Sequence, residues 1–108
     1  MDRMNSSNET VLTWAKKVGL STMITFEEII LDSYIHNKKI YWNSNLQSRS
    51  KIAQVISENK KPISDTRIKQ HLSALTKYNL LSRETKGLYR INERIANIIV
   101  EYPTKKGQ

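Results

Sequence analysis

Thr66, Arg67, Lys69, Gln70 and Ser73 share the polar side of one segment, ISDTRIKQHLSALTKYN, whose apolar residues recur at helical spacing. A guanidinium or ammonium suits the guanine edge in a DNA major groove, a carboxamide suits adenine, and a hydroxyl suits either. No acid follows Asp65 on that side, whereas an ordinary solvated helix interleaves Glu with Lys to form pairs. The segment runs into LLSRETKGLYRIN, two strand-like runs meeting at Lys86-Gly87, which carries Arg83, Lys86 and Arg90. These three bases suit phosphate or minor-groove contacts, although charge on a hairpin also guards an edge strand against aggregation. Ser44, Ser48, Arg49 and Ser50 gather at an earlier helix start, where amides and hydroxyls hold phosphate. Capping accounts for the serines equally well, and Lys51 is a weaker member of that group.

No set of residues points to catalysis. Glu27 and Glu28 are adjacent on a helix and diverge, and no Gly-rich phosphate loop or Ser/His/Asp set is present. With no cysteine and only His36 and His71, neither a metal nor a cofactor is expected. His71 lies beside Leu72 and reads as a core or boundary histidine; His36 reads as a helix end. The expected activity is therefore binding, with no small-molecule ligand.

The elements that position these residues follow from spacing. Ser6-x-x-Glu9 reads as a capping box, opening a helix of about 8–19 with Val11, Trp14, Ala15 and Val18 on one stripe. Thr25-x-x-Glu28 reads as a second box, opening a helix that runs through Phe26, Ile29, Ile30 and Tyr34–Ile35 to about His36. Lys39–Trp42 reads as a strand. A third helix is capped at Ser44 or begins at Ser48, buries Ile52, Ala53, Val55 and Ile56, and stops at Asn59–Pro62. Ser64 caps the fourth, whose inner stripe is Ile68, Leu72, Leu75 and Tyr78. Strands Leu80–Glu84 and Leu88–Asn92 pair across the glycine turn. A last helix, about 93–102, carries Ile95, Ile98 and Ile99. The fold class is mainly α with a small β-hairpin (α+β), in a single domain over 1–108.

The formal charge of +8 is unevenly spread: residues 1–36 carry three bases against five acids, residues 37–108 fifteen bases against five. Such asymmetry steers a protein onto a polyanion, although a lysine-rich composition also produces it. Ile98–Val100 is as long as any apolar run in the chain, far below the ~20 residues of a membrane helix. The opening MDRMNSSNET lacks a basic region followed by an apolar one, so no secretory signal is read there. A soluble cytoplasmic protein is expected.

The stretch RSKIAQVISENKKPISDTRIKQHLSALTKYNLLSRETKGLYRIN resembles the winged helix-turn-helix superfamily of bacterial and phage DNA-binding proteins, over about 25–95. The carriers are the Ile52-Ala53 pair, the S-x-x-x-I-x-x-x-L-x-x-L helix from Ser64, the Leu80-Leu81 strand start and the basic glycine turn. GLYRIN is similar to the last strand of winged-helix replication proteins and of centromere-binding proteins of plasmids. The turn ENKKPIS departs from the usual tight turn, being longer and more basic, and brings Lys60 and Lys61 toward the DNA backbone. The resemblance implies a dimer binding double-stranded DNA, acting in transcription regulation or in plasmid or phage replication or partition. The helix from Ser64 would enter the major groove and the wing would rest on backbone or minor groove. The Val11, Trp14 and Val18 stripe and the Ile95, Ile98 and Ile99 stripe read first as core, and as terminal helices one or both are also expected to mediate dimerisation. The rival reading is a winged-helix module that docks on another protein. RNA binding is disfavoured because no strand carries paired aromatics for base stacking.

Overall fold

The computed structural model describes residues 11–58 and 61–98. Helix α1 (Val11–Val18) leads into α2 (Leu20–Leu31), strands β1 (Tyr34–His36) and β2 (Lys39–Asn43), and α3 (Leu46–Val55). Two-residue strands β3 (Ser57–Glu58) and β4 (Lys61–Pro62) precede α4 (Asp65–Lys77), β5 (Leu81–Thr85) and β6 (Leu88–Ile91). Residues 93–98 form a last described helix, α5. The architecture is α+β: helices against an antiparallel four-stranded sheet of order β1-β2-β6-β5, with β3 and β4 paired separately.

α4 forms where the sequence pattern places it. The Ser64 side chain accepts a hydrogen bond from the Arg67 amide at 3.1 Å, and Asp65 occupies the first turn, where its charge suits the helix dipole. Ile68, Leu72 and Leu75 are buried against a core that α2 and α3 also enter. Tyr78 does not complete this stripe; it caps the helix C-terminus and is 39% exposed. Likewise Val55 is 59% exposed, while Ile52, Ala53 and Ile56 are buried as expected. α3 is capped by neither serine. Asn45 caps it, accepting from the Ser48 amide at 2.8 Å.

The second helix differs at both ends. It begins at Leu20, because Gly19 at φ 100° turns the chain sharply after α1, a conformation that strains any residue with a Cβ. Thr25 is consequently mid-helix and fully buried, with Oγ1 2.6 Å from His71 Nδ1. The helix ends at Leu31. Tyr34–His36 is a strand, joined to β2 by Asn37 and Lys38 at φ 52° and 65°, the positive pair that a two-residue hairpin turn demands. Asp32, just past the helix, accepts from Trp42 Nε1 at 2.9 Å and Lys51 Nζ at 3.0 Å, fastening the turn to β2 and α3. On either side of residues 59–60, Ser57 pairs with Pro62 and Glu58 with Lys61, where the sequence pattern suggested only a turn.

Four residues of the two stripes pack on the chain's own core. Trp14 and Ile95 are buried in its own core, and Val11 and Val18 pack half-buried against it. Ile98 is half-buried. Ser6, Glu9, Lys60, Ile99 and the expected helix beyond residue 98 lie outside the described residues, and of Lys61 only the backbone is described. Removing a buried aliphatic side chain costs its transfer energy plus a cavity. Ile68→Ala should therefore lower stability by about 2–5 kcal/mol in urea denaturation, while Val55→Ala should change it by under about 0.5 kcal/mol.

Candidate nucleic-acid interface

With α4 held by one face, helical geometry sets where the rest points. Successive residues turn by about 100°, so burial of Ile68, Leu72 and Leu75 leaves Thr66, Gln70, Ser73 and Lys77 along the outermost line, all exposed. Lys69 flanks that line on the side of the β5–β6 hairpin, and Arg67 flanks it on the other. Arg67 Nη1 approaches Gln70 Oε1 at 3.4 Å, a weak bond that spans the outer face.

The hairpin brings its own bases. Arg83 pairs across the sheet with Tyr89, and Tyr89 with Trp42. Side chains alternate along a strand, so Arg83 shares the face of Trp42 but sits beyond the core, toward α4. A register shift between Arg83 and Thr85 bends the strand before the turn, as bulges do. Gly87, at φ 81°, closes that turn and its carbonyl accepts from the Ser44 amide at 2.7 Å. The hairpin tip is thereby tied to the loop between β2 and α3.

Between these elements lies a cleft of about 1050 Å³ lined by Asn43, Ser44, Asn45, Arg49, Lys69, Leu72, Ser73, Thr76, Lys77, Arg83, Lys86, Gly87 and Tyr89. Five of those thirteen are cationic and none is acidic, histidine or cysteine. Such a lining attracts phosphate and lacks the carboxylate, imidazole or thiol that proton transfer or covalent catalysis most often uses. Lys69, Ser73, Arg83 and Lys86 therefore converge on one groove, with Thr66 and Gln70 exposed on the same helix beside it.

Arg67, on the far flank of α4, does not line the cleft, and three further expected contacts do not join the residues that converge there. Arg90 pairs with Tyr41 and Ser82, which alternation places on the opposite face of the sheet. Arg49 lines the cleft but is committed internally: Nε donates to Asp65 Oδ1 at 2.7 Å, and Nη1 to the Ser44 carbonyl at 2.9 Å and hydroxyl at 3.2 Å. Ser48 is half-buried; its amide bonds Asn45 and its hydroxyl contacts the Asp32 carboxylate. The start of α3 is thus a structural junction. Ser64, the α4 cap, is exposed beside it. Lys77, Thr76, Asn43 and Asn45 were not foreseen. Lys77 was legible, lying four residues after Ser73 on the same line, whereas the asparagines reach the cleft only through sheet pairing.

The junction is electrostatically coupled. The Arg49 hydrogen bond holds the Asp65 carboxyl below its ordinary value of 3.8, outweighing burial, with the Arg49 and Lys69 charges assisting. Burial pushes Asp32 upward, but hydrogen bonds from Lys51 and Trp42 and the Lys51 charge leave it lowered overall. Comparison with protein-family models, curated proteins and solved structures finds no match.

A depressed carboxyl stabilises the fold above its unfolded-state value and ceases to do so as pH falls through the folded one. Asp65→Asn should accordingly lower the urea midpoint at neutral pH, and the gap to wild type should close below the ordinary value of 3.8. A gap independent of pH would show that the Asp65 charge is not what the pair supplies.

Proposed function

We propose that the protein binds double-stranded DNA sequence-specifically, as a winged helix-turn-helix with α3 and α4 as the helix pair and β5–β6 as the wing. The observation that carries this reading is the acid-free, cationic cleft shared by the exposed side of α4 and the hairpin. Strand order supports it: β6 lies between β2 and β5, so the helix pair is framed by a three-stranded unit whose last hairpin projects beside α4. At 13 residues α4 is ~20 Å long, and a helix fits the ~12 Å width of a B-DNA major groove. Gln70, Ser73 and Thr66 would read base edges, while Lys69, Lys77, Arg83 and Lys86 neutralise phosphates. The role we assign is a transcription regulator, or a replication or partition factor of a plasmid or phage; the protein is not an enzyme in this reading.

Recognition of a repeated site calls for two copies, with recognition helices ~34 Å apart. Of the residues first expected at that contact, Trp14 and Ile95 are buried in the core, with Val11 and Val18 packed half-buried against it. We assign the contact to Leu20, Ile24 and Leu31, which fall on one line of α2 and are 65%, 39% and 68% exposed. Leu31→Glu should shift sedimentation from dimer to monomer; an unchanged profile would remove α2 from the contact.

DNA binding should show a log-affinity against log-salt slope near −5 if about six phosphates are contacted. On a site selected from a random pool, Gln70→Ala should cost ~1–3 kcal/mol for that site and little for random duplex. Lys86→Ala should weaken both alike and make the slope shallower by about one. A salt-independent affinity would contradict the reading.

A further inference from the structure

The outward face of the sheet, opposite the cleft, carries a different chemistry. Because β1 is a strand, its residues meet those of β2 and form rows invisible in sequence. One row runs Tyr34, Tyr41, Arg90, Ser82 across all four strands, and the next begins with His36 beside Lys39. The Tyr34 and Tyr41 ring centres are 6.1 Å apart at 32°, and those of His36 and Tyr41 6.4 Å apart at 57°. Tyr34 is 43% exposed, Tyr41 half-buried, and His36, Lys39, Arg90 and Ser82 exposed. No residue of these rows is acidic.

We propose that this face is a second nucleic-acid site, taking the unpaired bases and phosphates of a single strand. Three reasons favour that occupant. Aromatic faces on a sheet stack bases without regard to sequence, and flanking cations follow the backbone; here three rings stand beside Arg90 and Lys39. An aromatic pair serving only to hold the β1–β2 hairpin gains by burying its rings, yet Tyr34 and His36 keep theirs open at the edge of the sheet. Glu93 and Arg94 offset one another in the groove beside Arg90 and Ser82, so Arg90 and Lys39 leave the face net positive, which suits a polyanion. Tyr34 and Tyr41 pair across β1 and β2, which removes the ground on which RNA binding was disfavoured. This site stands on the sheet's own geometry, not on the duplex reading of the cleft.

The test is fluorescence anisotropy of the full chain at low salt with labelled oligothymidylate and oligouridylate of about twelve nucleotides, and with a random duplex. Both single strands should bind, and a preference between them assigns DNA or RNA as the source. Tyr34→Ala should weaken single-strand affinity about tenfold and leave the duplex unaffected. Tyr34→Phe should stay within about twofold of wild type, because it keeps the stacking face. Arg90→Ala should cost several-fold without altering either strand of the β1–β2 hairpin, covering the case in which Tyr34→Ala loosens β1. Lys86→Ala should spare single strands, so a failed duplex result and a failed single-strand result are distinguishable. Absence of single-strand binding, or Tyr34→Ala and Arg90→Ala proteins of wild-type circular dichroism and wild-type affinity, would overturn the proposal. So would a Tyr34→Ala protein altered only in sedimentation, which would make the face a contact between copies.

Discussion

The Arg49 guanidinium joins three pieces of chain that are distant in sequence: the loop before α3, α3 itself and the first turn of α4. Its side chain is only 15% exposed, so removing Asp65 would strand a largely desolvated charge, a costly state. This one contact sets where the N-terminal end of α4 lies relative to the β2–α3 loop. The same loop holds the hairpin tip through the bond from the Ser44 amide to the Gly87 carbonyl. Helix and hairpin are therefore positioned from a common anchor.

Behind that anchor, burial decides which side chains remain exposed. Ile68, Leu72, His71 and Leu75 commit one side of α4, with His71 paired to Thr25 of α2, and the opposite side is left polar. On the sheet, Trp42, Leu81 and Ile91 commit the inner face, so Arg83 emerges past the core into the cleft while Tyr41 and Arg90 face away. A single alternation thus separates two cationic surfaces, one walled by a helix and one flat and aromatic.

What was legible in the sequence was what local patterning encodes. Ser64 and the Ile68–Leu72–Leu75 spacing mark α4 because cap and stripe are read within one helix, and Lys86-Gly87 marks a turn between two alternating runs. The β1 strand was hidden because Tyr34–Ile35 continues the apolar spacing of Ile30, and because Asn37-Lys38 makes its turn without glycine. Thr25 imitated a cap while serving as a buried partner for His71, 46 residues away. Arg49 looked free for phosphate because its acid, Asp65, is 16 residues downstream. Each misreading has one cause: a long-range partner outweighed a local signal. Trp14 and Ile95 read equally as core or as a surface between copies, and the chain's own core receives both.

The central claim is that the α4–hairpin cleft is where a nucleic acid duplex sits. Amide chemical shifts followed during titration with duplex DNA test it most directly. The account predicts perturbations concentrated at Lys69, Ser73, Lys77, Arg83 and Lys86, with α1 unmoved. Perturbations that bypass these five residues, or none at saturating duplex, would contradict it.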